Sequence, residues 1–242
     1  MDLHQSHVEF KKTHWSLIEA LRSDDESDRA DALARLSQIY WPAVYSFLRK
    51  RGQDQENAAE ITQAFFSDVI LNRKLFSQAD ASRAKLRTFI LKALQNYMVD
   101  QHRRSTSRGE HLKISLEQTA KIEEDMIHRQ DDPPDKLYNR LWAGRLLLEA
   151  LKRCEKNCEG SKSQHWSIFM DRVIQPAING SAAPTSKSLA EQYGIDSASS
   201  VNSIIYSLRK RMLVTLKQVV AETTSDPEAA EDEYVTILKL LS

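Results

Sequence analysis

The chain has 242 residues, 41% of them hydrophobic and 28% charged, which suits one large or two small globular domains and is too apolar for a disordered chain. Its 34 basic residues balance 34 acidic ones, so it does not coat DNA by bulk charge. Six glycines and six prolines are too few for the turns of a sandwich, a barrel or a doubly wound sheet, and the fold class expected is all-α.

No apolar run approaches the roughly eighteen residues of a membrane span. The N-terminus (Met1, Asp2, Leu3, His4, Gln5) lacks the basic and apolar regions of a signal peptide. Two cysteines cannot build a disulfide framework. The expectation is a reduced, cytoplasmic protein without a membrane segment.

Apolar spacing then predicts the elements. A helix over 14–22 has Thr13 as its N-cap, and a polar acidic stretch follows at 23–27. Over 28–51, Leu33, Leu36, Tyr40, Val44, Phe47 and Leu48 form one stripe, with Gly52 at the expected stop. A helix over 55–73 turns Ala58, Ile61, Phe65, Val69 and Ile70 inward, so Glu60, Gln63, Ala64 and Ser67 face out. A polar loop at 75–83 leads to a helix over 84–104 with Leu86, Phe89, Ile90, Ala93, Leu94 and Tyr97 on its core face. These elements make a first domain, 1–104. Residues 105–134 are a polar linker with a weakly amphipathic segment at 116–128. A second domain, 135–222, opens with a helix whose apolar residues are Leu137, Leu141, Leu146, Leu147, Leu148 and Leu151. A polar break at 155–163, an apolar helix at 166–173 and a loop at 174–185 containing Pro176, Gly180 and Pro184 follow. An acid-containing tail helix occupies 223–242.

Charge is segregated along the chain. Between 83 and 108 stand Arg83, Lys85, Arg87, Lys92, Arg103, Arg104 and Arg108 against the single acid Asp100. Arg209, Lys210, Arg211 and Lys217 lie in a stretch without acids. Such runs are commonly solvated helix faces. Two of them in two helical modules point toward nucleic acid.

The segment 186–213 has the pattern of a helix-turn-helix. Leu189, small Ala190 and Tyr193 belong to a short first helix, Gly194 supplies the turn, and Ser197 caps the second helix. Val201, Ile204, Ile205 and Leu208 face inward, leaving Ser199, Ser200, Asn202, Ser203 and Tyr206 for base edges or phosphates and Arg209 and Lys210 for phosphates. An ordinary helical hairpin is the plainer alternative. On 84–104, Lys92, Asn96 and Arg103 share a stripe opposite the core face, and Tyr97 and Phe89 have the spacing of core residues rather than of a base-stacking platform.

Catalytic chemistry finds little footing. The chain has no glycine-rich phosphate loop, HExxH or nucleophile elbow. His4, His7 and His14 are scattered in a polar stretch. Cys154 and Cys158 with His165 lack an evident fourth metal ligand. No metal or cofactor is expected, and the chain is not expected to be an enzyme.

The order of these motifs resembles the extracytoplasmic-function sigma factors of bacterial RNA polymerase. YWPAVYSFLRKRG (40–52), AAEITQAFF (58–66) and AKLRTFILKALQNYMVDQHRR (84–104) are similar to the family's region 2. HWSIFMDRVIQPAING (165–180) and SLAEQYGIDSASSVNSIIYSLRKRM (188–212) are similar to its region 4, and the tail ending YVTILKLLS is similar to a larger-than-average branch. The resemblance implies two helical domains joined by a linker. It also implies a transcription initiation factor whose partners are promoter DNA and core RNA polymerase. Glu60, Gln63 and Ser67 are then expected to meet the clamp helices of the largest polymerase subunit. Arg83, Lys92, Asn96, Arg103 and Arg104, with the loop at 77–83, are expected to read the melted minus-ten element. Ser199, Ser200, Asn202, Ser203, Tyr206, Arg209 and Lys210 are expected in the major groove of the minus-thirty-five element, their domain also holding the polymerase flap. The family usually has acids where Asn57, Ala59 and Ala64 stand. Phosphorylation at Ser67 by a Ser/Thr kinase would supply the missing charge, and an anti-sigma factor is the expected antagonist. The rival readings are a free-standing helix-turn-helix regulator and a helical adaptor without DNA binding.

Overall fold

A computed structural model describes residues 17, 20, 21, 23–71, 85–104, 132–224 and 226–241, the side chains of 69–71, 101–104, 161 and 241 excepted. The described residues form helices without strands, and the protein is all-α. Among them no helix is long and apolar enough to cross a membrane. Of the expected helix at 14–22, Leu17 and Ala20 are helical, and Leu17 and Leu21 are buried. The loop at 75–83 and nearly all of the linker, with its segment at 116–128, lie outside the described residues.

The chain divides into two compact units, Met1–Arg145 with Val220–Ser242, and Leu146–Val219. The division departs from the expected domain boundaries. The start of the expected second domain and the whole C-terminal tail group with the first unit. Both changes of unit fall inside long helices, where apolar periodicity continues unbroken and marks no boundary.

In the first unit, α1 (Glu26–Lys50) starts two residues before its expected start, because Asp25 accepts hydrogen bonds from the amides of Ser27 and Asp28 at 2.8 and 3.2 Å. Gly52, at φ 88°, ends it, and the Gln53 amide reaches back to the Leu48 carbonyl at 3.1 Å. Pro42 lies inside this helix and has no N–H to give the Gln38 carbonyl. Arg145 Nε donates to that carbonyl instead, at 3.0 Å, which satisfies an otherwise orphaned acceptor.

Helix α2 (Gln55–Phe65) continues as a π-helical turn over Phe66–Leu71. Its buried face is Ala58, Thr62 and Phe65, where Ile61 rather than Thr62 was expected to point inward. Ile61 is half-buried. The 3.6-residue period from Ala58 falls on Thr62, whose hydroxyl is satisfied by donating to the Ala58 carbonyl at 2.6 Å. Phe65 packs edge-on against Phe66 and against Tyr97, and Phe66 stacks on Trp41.

Helix α3 (Leu86–Arg104) buries Leu86, Ile90, Ala93 and Leu94. Helix α4 (Pro134–Lys156) was expected to pack through its leucines, but its largest buried side chains are Tyr138 and Trp142. Leu137 and Leu146 are buried as well, whereas Leu141, Leu147 and Leu151 are half-buried and Leu148 is exposed. Tyr138 and Trp142 are one helical turn apart and carry the core stripe that a count of leucines overlooks. Burial raises the Tyr138 hydroxyl well above its ordinary pKa and raises that of Tyr40 as well.

In the second unit, α5 (Ser163–Phe169) runs into a π turn, Met170–Ile174, and then into α6 (Gln175–Asn179). Residues 174–185 were expected to be a loop throughout. Pro176 instead sits at the start of α6, directly after the π turn, and Gly180 at φ 63° closes the helix. Helices α7 (Ser186–Tyr193) and α8 (Ala198–Ala221) follow. The core of this unit joins Ile168, Leu189, Ala190, Val201 and Ile205. The last helix, α9 (Pro227–Leu241), buries Glu233 and Ile237.

Candidate nucleic-acid interface

Helices α7 and α8 form a helix-turn-helix whose local geometry follows from its sequence. The Thr185 hydroxyl caps α7 by accepting from the Ser188 amide at 3.1 Å. Gly194 takes φ 64°, ψ 35°, a left-handed conformation that suits glycine, and the Ile195 amide closes the turn on the Ala190 carbonyl at 2.9 Å. Ser197 Oγ then accepts from the Ser200 amide at 3.1 Å, capping α8 as expected. Val201, Ile205, Leu208 and Met212 are buried, and Ile204 is partly so.

The opposite face of α8 presents Ser199, Ser200, Asn202, Ser203, Tyr206, Arg209 and Lys210, all exposed. Tyr206 is 70% exposed, high for an aromatic ring that core packing would claim. Asn202 is held in place, because Ser186 Oγ donates to its Oδ1 at 2.6 Å. The bond ties the start of α7 to α8 and orients the Asn202 amide. Nothing in the spacing of Asn202 had marked Ser186 as its partner, sixteen residues away. Arg209 and Lys210 stand about two turns further on, roughly 10 Å along the helix.

A second network fixes α7 from behind. Tyr193 Oη donates to Asp171 Oδ2 at 2.7 Å, Gln192 Nε2 approaches the same oxygen at 3.4 Å, and Gln164 Nε2 donates to the Tyr193 carbonyl at 2.6 Å. Burial first, then the hydrogen bond and charge of Asp171, push the Tyr193 hydroxyl from its ordinary 10 up to about 12. A raised folded-state pKa adds stability below pH 10 and loses it as the pH climbs through about 12. The stability difference between wild type and Tyr193→Phe is therefore expected to be constant below pH 10 and to shrink through that window. Denaturant titrations at a series of alkaline pH values measure it, and a difference independent of pH would contradict this assignment.

The expected minus-ten residues are only partly within reach of the structure. Lys92 and Asn96 are exposed on α3, as their spacing predicts. Arg103 and Arg104 are in the same helix, but their side chains, like all of Arg83, lie outside the described residues. Arg87 leaves the basic surface altogether. Its guanidinium is 11% exposed, bonds Glu233 Oε2 at 2.7 Å and the Asn139 side chain, and lies 4.8 Å from the Trp142 ring centroid. Tyr97 packs on Phe65 and donates to Asp68 at 3.1 Å, which makes it part of the fold rather than an open platform for a base.

The expected polymerase-docking face is narrower than the pattern suggested. Ser67 is exposed, but Glu60, Gln63 and Ala64 are half-buried, and the Gln63 side-chain oxygen is buried. The buried arc of α2 takes in both Phe65 and Phe66, so it covers the flanks of the helix as well as its centre. Asn57 bonds the capping Asp54 through its side chain at 2.7 Å and through its amide at 2.8 Å.

Cys154 and Cys158 have different surroundings. Cys154 Sγ contacts Thr215 Oγ1 at 3.4 Å and Met212 Sδ at 3.9 Å, while Cys158 Sγ accepts from Arg211 at 3.7 Å. Among the described residues no three His, Cys, Asp or Glu side chains gather as a metal site. Comparison with protein-family models, with curated proteins and with solved structures returns no match.

Proposed function

We propose that this protein is a transcription initiation factor without enzymatic activity of its own, acting in the cytoplasm by binding core RNA polymerase and directing it to promoters. The observation that carries the reading is the helix-turn-helix of α7 and α8. Its second helix exposes an unbroken polar and cationic face from Ser199 to Lys210. In this reading α8 enters the major groove of the upstream element, Asn202 reads a base edge from its fixed rotamer, and Arg209 and Lys210 hold phosphates. Lys92 and Asn96 meet the melted downstream element. The two-domain, linker-joined arrangement of a sigma factor belongs to the same proposal. So do the contacts of Glu60, Gln63 and Ser67 with the polymerase clamp. Ser67 is the exposed hydroxyl of that face and the one a kinase would reach.

A free-standing regulator is the second reading, favoured by the same α7–α8 geometry, which needs no polymerase to contact a duplex. Co-purification with core RNA polymerase, followed by run-off transcription on a promoter library, separates the two. Duplex affinity without any polymerase-dependent transcription selects the regulator. Within either reading, replacing both Arg209 and Lys210 with alanine is expected to weaken duplex binding uniformly across sequences. It should also lower the slope of log affinity against log salt by roughly one to two units. An unchanged slope removes α8 from the DNA.

A further inference from the structure

A cavity of about 300 Å³ opens in the second unit beside α8, at the low end of small-ligand sites. Its wall carries Lys162, His165 and Arg211, with Ser203 and Ser207 from α8 facing the same space. Among the described residues no carboxylate lines it. Arg211 is half-buried, and the guanidinium that donates to the Cys158 thiol at 3.7 Å has five N–H donors, so one soft acceptor leaves most of them to a ligand. Guanidinium, ammonium and imidazole groups, with the Ser207 hydroxyl and no opposing acid, are the donor set that a compact oxyanion requires.

We propose that this cavity binds a phosphate group, supplied either by the DNA backbone or by a free phosphorylated small molecule. In the bound state Arg211 and Lys162 contribute charge and Ser207 donates a hydroxyl hydrogen bond, while Ser203, whose hydroxyl donates to the Ser199 carbonyl at 3.1 Å, only lines the wall. Ser203 and Ser207 each adjoin an exposed residue of the α8 polar face, Asn202 and Tyr206. Occupancy of the cavity is thereby felt on that face, either as an anchor for DNA or as a sensor of a metabolite. The cavity stands on its own residues, and only the DNA source rests on the helix-turn-helix reading.

The test is an NMR titration of the full chain with inorganic phosphate, with ionic strength held constant by chloride. Saturable shifts are expected at His165, Ser203 and Ser207, and Lys162→Gln and Arg211→Gln are each expected to weaken binding about tenfold. Lys162 is exposed, so its replacement leaves the fold intact and keeps the test decisive if Arg211→Gln unfolds. An absence of saturable shifts, or the same titration in the Lys162→Gln chain, overturns the proposal. Repeating the titration with duplex bound distinguishes the sources. A DNA phosphate in the cavity abolishes the response to free phosphate, and Lys162→Gln then lowers the salt slope by about one unit. A free ligand leaves the response in place. Should the chain bind no duplex on its own, the free-standing regulator fails while the phosphate titration still decides the cavity.

Discussion

Replacing Glu233 with alanine is expected to destabilise the protein by about 3–5 kcal/mol, the cost of leaving a buried charge without its partner. The Glu233 side chain is 1% exposed and meets Arg87 at 2.7 Å. Arg87 is held on other sides by Asn139 and by the Trp142 ring, and its own carbonyl accepts from Tyr138 Oη at 3.1 Å. These contacts join α3, α4 and α9 around one guanidinium, so losing Glu233 removes this polar tie and leaves a cation in a low-dielectric site. For a chain of this size the melting temperature should fall by roughly 10 °C. Changing both partners to apolar residues, Arg87→Met with Glu233→Leu, should recover most of the loss, because no unpaired charge remains. Thermal and urea denaturation of the three proteins decide the matter. A loss below about 1 kcal/mol in Glu233→Ala would mean that the pair behaves as a solvated surface bridge.

The second large effect lies in the helix-turn-helix core. Leu189 is fully buried against Ile168, Val201 and Ile205. Leu189→Ala is expected to cost about 2–5 kcal/mol, through lost transfer energy and the cavity left behind. Duplex binding should fall with it, because the angle between α7 and α8 depends on that packing. The Arg209→Ala, Lys210→Ala protein makes the complementary case. Both side chains are exposed, so its stability should stay within about 0.5 kcal/mol of wild type while its salt slope changes. Denaturation curves and binding isotherms on the same two proteins therefore separate the scaffold from the contact surface. A Leu189→Ala chain as stable as wild type would show that this cluster is not a packed core.

Much of the local structure was legible in the sequence because it is set by residues close together in the chain. Gly52 and Gly194 stop their helices where expected, since a left-handed residue after a helix costs little only for glycine. Ser197 caps α8, and the apolar positions Val201, Ile205 and Leu208 turn inward as their spacing predicts. Three local patterns admit more than one reading. Pro176, Gly180 and Pro184 make 174–185 read as a loop, yet a short helix fits between Gln175 and Asn179. The apolar spacing places Ile61 inside, whereas Thr62 is buried there with its hydroxyl satisfied by the Ala58 carbonyl. In α4 the leucine pattern finds Leu137 and Leu146 but not the larger Tyr138 and Trp142 that share the core.

The sequence by itself determined the helical class, the turn of the helix-turn-helix, its Ser197 cap and the exposed face of α8, because glycine conformation, capping and the 3.6-residue period act within a few residues. Only the tertiary structure decided which charges are surface charges. Arg87 stood in a basic run and Glu233 in an acidic tail, and each looked like a solvated group until the fold brought them together across 146 residues. One signal was available, since Arg87 keeps apolar spacing with Ile90 and Leu94, as Glu233 does with Ile237. A charge on a core stripe asks for a buried partner, but spacing along one helix carries no information about which other helix provides it. The cavity of Lys162, His165 and Arg211 has the same origin, for its residues lie on separate elements and converge only when the second unit packs.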